Sequence, residues 1–464
     1  MRELAGVALS VTLPWLAGAL AVAALWRGRA ERSLPLCIGY GYVVGALVTV
    51  VVMRAASLVG LRWSFISIAA VLVGMGAAAA YAAKPLRLRA AYAESRSRLA
   101  ALPALARGAF YLFVALCTIN AVALVGCVAW GLIEPYDALT QWADKARVWY
   151  EYGRIVPFVN SAAWRRLADV GHFWDMNPYY PPGVPLLQVW TSLAAGSWDE
   201  SLMNMPWAAA FAALGFAFYA QTRRLGAGPA KAMAATYLLL SIPLLQINVA
   251  VAGMADVFVA VSYGLAAIGA WQWTRSRHWQ DAALAILAAA LCAMVKKEGI
   301  VWTLTLVPAV LVAIHRRVGL ALCAAAAGAG LAFLAFGPGE FAVLGYNVTS
   351  SAFAVWGPTL EHMFVMDNWH LAWYAAAAIV TWNAPRLLAG PLAPATVTMA
   401  AAAAFVLLVY GFSNAAVGVA GENLVNRFLL QTVPALAFYL LVILAERDAP
   451  AAIESRAPIA ADPL

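Results

Sequence analysis

The residues best suited to chemistry lie in one polar stretch, 134–185, of a chain that is otherwise strongly apolar. The stretch opens with Glu134-Pro135-Tyr136-Asp137, continues through Gln141-Trp142-Ala143-Asp144-Lys145 and ends with Tyr180-Pro181-Pro182. A carboxylate such as Asp137 can take a proton from an attacking hydroxyl, and a nearby cation can stabilise charge on a departing phosphate. The stretch therefore contains the groups that a group-transfer reaction needs.

Residues 137–153 form an amphipathic pattern on a helical wheel. The polar arc holds Asp137, Thr140, Gln141, Asp144, Lys145, Arg147 and Glu151, and the opposite arc holds Trp142, Ala146, Trp149 and Tyr150. We predict an interfacial helix whose aromatic side rests in the membrane boundary and whose polar side faces an aqueous cleft. A helix that merely lies on the membrane surface would show the same pattern.

Residues 154–185 are rich in aromatic side chains and prolines. The prolines prevent a regular helix. Rings such as Tyr179 and Tyr180 suit stacking on the apolar face of a sugar, and they equally suit an ordinary interfacial belt. His172 lies among them, although a lone histidine is more often structural than a ligand.

Three further polar sites interrupt apolar segments. Asp256 is costly in so apolar a context, and such an aspartate is usually functional or paired. Lys296-Lys297-Glu298 could bind an anion, or could be a lysine pair that extends to the interface beside a glutamate partner. Arg427 opens the last predicted helix, where the helix dipole disfavours a cation. A buried anion or an acidic partner would explain its position.

Composition predicts an all-α polytopic membrane protein. The chain has 464 residues, of which 64% are hydrophobic and 11% charged, whereas a soluble domain has about 25% charged residues. A span needs about 20 apolar residues. Thirteen segments qualify as candidates, near 4–26, 34–53, 63–83, 108–132, 201–221, 231–250, 254–273, 280–295, 299–315, 318–336, 370–385, 393–412 and 427–445.

The positions of the basic residues predict the orientation. Most lysines and arginines fall in loops that share one side, which places the N-terminus outside and the C-terminus in the cytoplasm. The longest of these loops, 84–107, is predicted to lie on anionic headgroups. The basic residues at the outer ends of helices have no such explanation, so an anionic ligand is expected there. No solvated basic domain exists that could hold nucleic acid.

Metal chemistry is not indicated. The histidines and acids of 337–369 match no compact set of metal ligands, so no metal and no cofactor are predicted. The five cysteines all lie inside predicted helices, so disulfide bonds are not expected.

The order of these residues resembles the C-type glycosyltransferase superfamily, and in particular its bacterial branch similar to protein mannosyltransferases and aminoarabinose transferases. The resemblance covers about 108–445. It rests on Asp137 with Trp142-Ala143-Asp144-Lys145, on Tyr180-Pro181-Pro182, and then on Asp256, Lys297-Glu298-Gly299 and Arg427. It implies three parts: a three-helix extension with a basic cytoplasmic loop (1–107), a transferase module with an outer catalytic loop at 134–200 (108–336), and a second outer loop with the C-terminal helices (337–464).

The resemblance implies an inverting transfer of sugar from a polyprenyl-phosphate donor to an acceptor hydroxyl, at the outer face of the bacterial inner membrane. The acceptor would be a glycan, a lipid or a protein. The implied roles are catalysis for Asp137 and Asp256, contact with the donor phosphate for Lys145, Lys296, Lys297 and Arg427, and contact with sugar or acceptor for Gln141, Trp142, His172, Tyr179, Tyr180 and Glu298. Asn177 and Tyr179 depart from the His and Asp of the family pattern, which leaves the acceptor open.

Two other classes of protein share some of these features. A secondary transporter or a flippase for lipid-linked glycans would tend to show internal repeats and helices broken at the midplane, and the sequence shows no repeat. A non-catalytic assembly subunit would not need the combination of acids and cations.

Overall fold

The computed structural model describes residues 2–29, 31–83, 96–167, 172–337, 339–343, 346–420 and 424–448. Half of the basic loop 84–107, which was predicted to lie on lipid headgroups, falls outside the described residues. The C-terminal tail after 448 falls outside them entirely.

Helices form almost all of the described structure. In chain order the α-helices are Arg2–Leu25 (α1), Leu34–Leu58 (α2), Phe65–Ala83 (α3), Ala104–Trp130 (α4), Asp144–Tyr152 (α5), Ser161–Arg166 (α6), Gly183–Ala195 (α7), Met205–Arg224 (α8), Pro229–Leu240 (α9), Pro243–Ala250 (α10), Asp256–Ser276 (α11), Trp279–Val295 (α12), Lys297–Leu304 (α13), Val307–Ile314 (α14), Arg316–Phe336 (α15), Trp356–Phe364 (α16), Ala372–Trp382 (α17), Ala393–Phe412 (α18), Val417–Ala420 (α19) and Leu424–Asp448 (α20).

The long apolar helices confirm the prediction of an all-α polytopic membrane protein. Within the described ranges, ten helices are long and apolar enough to cross a membrane, and an eleventh results if α9 and α10 form one crossing. These two helices meet at an angle of 61°, where Pro243 begins α10. The segments predicted at 280–295 and 370–385 are the shorter helices α12 and α17. The total of thirteen crossings stays a prediction.

The core lies around α11. In its most apolar window 83% of residues are buried, compared with 6% for α15. The N-terminal helices pack into this core as well, because the hydroxyl of Tyr40 in α2 donates a hydrogen bond to the carbonyl oxygen of Leu265 in α11 (3.0 Å). Helices such as α15 leave apolar side chains exposed, as expected of a surface that faces lipid.

Two small sheets lie in the segments that were predicted as outer loops. Strands Phe158–Val159 (β1) and Phe173–Trp174 (β2) pair in parallel. Strands Glu340–Val343 (β3) and Tyr346–Thr349 (β4) form an antiparallel hairpin. A bridge between Val348 and Ser413 fastens the hairpin to the end of α18.

The structure of residues 137–153 differs from the predicted interfacial helix in two respects. It begins as a π-helix, Ala138–Ala143, and only then continues as α5. Its aromatic side does not rest in the membrane boundary, because Trp142 and Trp149 are 1% and 5% exposed within the protein core. The predicted lipid contact of these two rings is therefore wrong. A helical wheel cannot distinguish a face covered by protein from one covered by lipid, since both are apolar.

Candidate functional site

Asp137 and Asp256 meet at one side chain, that of Arg427. The Nη1 of Arg427 donates to Oδ2 of Asp137 at 2.6 Å, while Nε and Nη2 donate to Oδ2 of Asp256 at 3.0 and 2.8 Å. Gln141 completes the contact by donating from Nε2 to Oδ1 of Asp137 at 3.0 Å. The acidic partner expected for Arg427 is thus a pair of carboxylates from two distant parts of the chain.

Asp256 is saturated with hydrogen-bond donors. Besides Arg427, Lys296 donates from Nζ to its Oδ1 at 3.0 Å, and Gln431 donates from Nε2 to the same oxygen at 2.5 Å. Gln431 is itself held by Trp302, whose indole N–H donates to Oε1 at 2.5 Å. The Asp256 side chain is fully buried. A carboxylate so placed binds its cations firmly, and it has little capacity left to accept a proton from a substrate.

The start of α11 brings Asp256 next to the π-helix. Asp256 occupies the first turn of α11, where the helix dipole favours a carboxylate. Gly253, just before it, has φ of 114°, and a Cβ there would lie 2.8 Å from the Cβ of Ala138. Only glycine accepts this conformation and this approach. The π-helix that follows Asp137 is itself a rare feature, often found at functional sites.

Lys296 is positioned by a break between α12 and α13. Its backbone is extended, with φ −153° and ψ 148°, so the helix stops for one residue and restarts at Lys297. The two helices pack closely behind the break, because a Cβ at Gly299 would lie 1.9 Å from the carbonyl oxygen of Cys292. This break directs the Lys296 side chain to Asp256.

Lys297 and Glu298 face a group of tyrosines. The ammonium of Lys297 lies 5.1 Å from the ring centroids of both Tyr180 and Tyr346, within the range of cation–π attraction. The hydroxyl of Tyr346 donates to Oε1 of Glu298 at 2.9 Å, whereas the buried Oε2 has no partner among the described residues. Burial and the charge of Glu298 raise the pKa of Tyr180 and of Tyr346. Both phenols therefore stay neutral, and Tyr346 uses its proton in the hydrogen bond to Glu298.

Lys145 forms an ion pair with a carboxylate outside this group. Its Nζ lies 3.2 Å from Oδ2 of Asp175 and donates to the carbonyl oxygen of Asn177 at 2.8 Å. Burial lowers the pKa of Lys145, and Asp175 opposes that shift. The rings of Trp142 and Tyr180 stack beside it with centroids 5.2 Å apart. These contacts hold the turn that carries Tyr180 against the π-helix.

A cavity of about 650 Å³ opens beside Asp137 and Arg427. These two side chains are the charged members of its lining, and most of the other lining residues are apolar. The lining residues from α10 and the turn after it are Leu244, Ile247, Asn248, Val251 and Met254, and the others are Pro135, Tyr136, Asp137, Met366, Asn368, Leu424, Asn426 and Arg427. The Asp137 side chain remains 27% exposed. The cavity therefore suits a ligand with a polar end and an apolar end.

The remaining predicted residues lie apart from the cluster. Tyr179 is 86% exposed, and His172 contributes its carbonyl oxygen to the indole N–H of Trp164. Their predicted contact with sugar or acceptor stays a prediction.

Sequence reasoning missed Gln431, Tyr346 and Asp175. Gln431 could have been found, because it lies one helical turn after Arg427 in an apolar span. Tyr346 and Asp175 gave no local signal.

The chain was compared with protein families, curated proteins and solved structures, and it matches none of them. Within the described residues, no group of three His, Cys, Asp or Glu side chains is arranged to hold a metal ion. The predicted absence of a metal and of a cofactor stays a prediction.

Proposed function

We propose that this protein is a membrane-embedded glycosyltransferase of the C type, which moves a sugar from a polyprenyl-phosphate donor to an acceptor hydroxyl. One observation carries this proposal. The partly exposed carboxylate of Asp137, oriented by Arg427 and Gln141, lines a cavity of about 650 Å³ whose other lining residues are mostly apolar. A lipid-linked sugar phosphate has the matching shape, with an apolar tail and a polar head.

In the proposed reaction, Asp137 is the general base. An oxygen of Asp137 accepts the proton of the acceptor hydroxyl while the oxygen of that hydroxyl attacks the anomeric carbon of the donor. The bond from the anomeric carbon to the phosphate oxygen breaks, and its electron pair leaves with the phosphate. A single displacement of this kind inverts the configuration at the anomeric carbon.

The cations divide into two groups in this proposal. Lys296 and Arg427 each pair with Asp256, so we assign Asp256 the role of positioning Arg427 rather than of a second base. Lys297 lies against two aromatic rings and pairs with no carboxylate among the described residues. Its ammonium is therefore the cation best able to neutralise the leaving phosphate. The unpaired Oε2 of Glu298 could accept a hydrogen bond from a sugar hydroxyl.

The proposed function also requires one orientation of the chain in the membrane. Thirteen crossings would place the N-terminus outside, the C-terminus in the cytoplasm, and Asp137 at the outer face of a bacterial inner membrane. The acceptor would be a glycan, a lipid or a protein at that face.

A flippase or secondary transporter is the second candidate. The observation in its favour is the 61° bend between α9 and α10, since broken helices recur at transporter binding sites. The grouping of acids and cations at one end of the spans favours the transferase.

The test is turnover of purified protein in nanodiscs with a panel of polyprenyl-phosphate hexoses and pentoses. We expect one donor to be consumed by the native chain, and Asp137→Asn to slow consumption by about 100-fold or more, because it removes the base. Glu134→Gln is the matched control: it removes an exposed carboxylate three residues away and should leave the rate unchanged. Equal rates for Asp137→Asn and the native chain would exclude Asp137 as the base. In proteoliposomes, whose sealed interior allows transport to be followed, donor that is moved across the bilayer but never consumed would support the transporter.

A further inference from the structure

A second cavity, of about 390 Å³, lies among the ends of α11, α14, α15 and α18. Three arginines line it, one at the end of α11, one just after α11 and one at the start of α15. The full lining is Thr274, Arg275, Arg277, Val312, Ala313, Arg316, Gly390, Pro391 and Pro394. No carboxylate is among these lining residues.

This cavity lies at the membrane face opposite Asp256. Arg275 follows Asp256 by 19 residues in α11, which corresponds to about 28 Å along a helix. A second helix gives the same separation, because Glu446 follows Arg427 by 19 residues in α20. Arg275 and Glu446 form an ion pair there, with Nη1 of Arg275 2.6 Å from Oε1 of Glu446. The arginine cavity is therefore distinct from the site proposed for catalysis, and its assignment does not depend on that function.

The three guanidinium groups are anchored but retain donors. Arg275 pairs with Glu446, Arg277 donates to the carbonyl oxygen of Ala313, and Arg316 donates to the carbonyl oxygen of Leu388 at 2.6 Å. Each guanidinium carries five N–H groups. Among the described contacts only the Glu446 carboxylate opposes three positive charges. The cavity therefore has an excess of positive charge and hydrogen-bond donors that are already oriented.

An anion in the cavity would offset the unfavourable position of a cation at the start of α15. Arg316 begins α15, where the partial positive charge of the helix N-terminus disfavours a cation. Arg277, the residue just after α11, has φ of 56°, a left-handed conformation that glycine usually supplies. In that conformation its guanidinium reaches across to the end of α14.

We propose that this cavity binds the phosphate of an anionic phospholipid headgroup. Arginine matches phosphate oxygens with paired hydrogen bonds. The surroundings favour a lipid over a soluble phosphate, because Ile314, Val318 and Leu388 beside the arginines are 70%, 52% and 50% exposed. Exposed apolar side chains at the ends of membrane-spanning helices are covered by acyl chains. Basic side chains near the bilayer surface attract anionic lipids.

The test is native mass spectrometry of the whole protein with phosphatidylglycerol, using phosphatidylcholine as the zwitterionic comparison. We expect preferential retention of phosphatidylglycerol, and a loss of affinity of roughly thirtyfold in Arg277→Gln/Arg316→Gln, from about fivefold for each arginine. The control Arg166→Gln removes an exposed arginine from α6 and should bind as the native chain does. Arg277→Lys/Arg316→Lys, which keeps the charges, should recover part of the affinity.

Equal retention by the native chain and the double glutamine variant would overturn the proposal. If the double variant does not fold, Arg316→Gln alone replaces it, with an expected loss of several-fold. A second arm separates the two sources of phosphate. Millimolar inorganic phosphate is added to protein in phosphatidylcholine nanodiscs, and the melting temperature is followed. A rise with inorganic phosphate, and none with phosphatidylglycerol, would assign the cavity to a soluble ligand and overturn the lipid proposal.

Discussion

At the scale of single residues, the two carboxylates of the cluster differ in how many lone pairs are already used. Asp256 accepts hydrogen bonds from Lys296, Gln431 and two nitrogens of Arg427. Asp137 accepts two and borders the cavity. Two aspartates that the sequence marked equally therefore suit different tasks, Asp137 for proton transfer and Asp256 for holding the cations.

Removal of the Asp256 charge should destabilise the fold. Asp256→Asn leaves Lys296 and Arg427 buried with one carboxylate fewer, and breaking a buried ion pair typically costs about 3–5 kcal/mol. We expect a clear fall in melting temperature in detergent. Glu151→Gln is the control, because its pair with Arg147 is about half exposed and such pairs contribute less than about 1 kcal/mol. Equal melting temperatures for the two variants would contradict the structural role of Asp256.

The charged members of this cluster could be identified from the sequence because each is a charged residue in an apolar context. Asp256 and Arg427 lie at the ends of apolar spans, where an unpaired charge is costly. Their partners could not be identified in the same way. The hydrogen bond from Arg427 to Asp137 joins residues 290 apart, and no local pattern encodes such a pairing. Lys145 shows the same limit, because its partner Asp175 lies 30 residues further along the chain.

At the scale of elements, interruptions in regular helices set the geometry of the site. The π-helix Ala138–Ala143 follows Asp137, and the extended residue Lys296 separates α12 from α13. Hydropathy located the helices well, because a span must be long and apolar. It could not locate these interruptions, since a single extended residue or an added residue in a helical turn leaves the average hydropathy unchanged.

Close packing behind the Lys296 break can be tested at Gly299. Gly299→Ala would bring a Cβ to 1.9 Å from the carbonyl oxygen of Cys292, so α12 and α13 must separate and move Lys296 away from Asp256. Overpacking of this kind typically costs about 1–3 kcal/mol, and we expect a lower melting temperature. Gly328→Ala is a matched control in α15, where nothing lies within 4 Å of the added Cβ. If both variants have the same melting temperature, the contact at Gly299 does not constrain the break.

At the scale of the whole molecule, the two ends of the spans carry different charged groups. One end holds Asp137, Asp256 and Glu298 with three cations, and the other holds a cavity with three arginines. The positive-inside rule assigns the arginine-rich end to the cytoplasm. The proposed transfer at the outer face requires the same orientation.

This orientation can be measured by labelling cysteines in intact cells with a membrane-impermeant maleimide. Tyr179→Cys, at a position that is 86% exposed and next to Tyr180, should react from outside. Arg317→Cys, exposed at the start of α15, should react only after the membrane is permeabilised, because it lies near the arginine cavity at the other face. The native chain supplies the background from its own five cysteines. Reversed labelling would place Asp137 in the cytoplasm. It would contradict a transfer reaction at the outer face, yet leave the arginine cavity as a lipid site on the opposite leaflet.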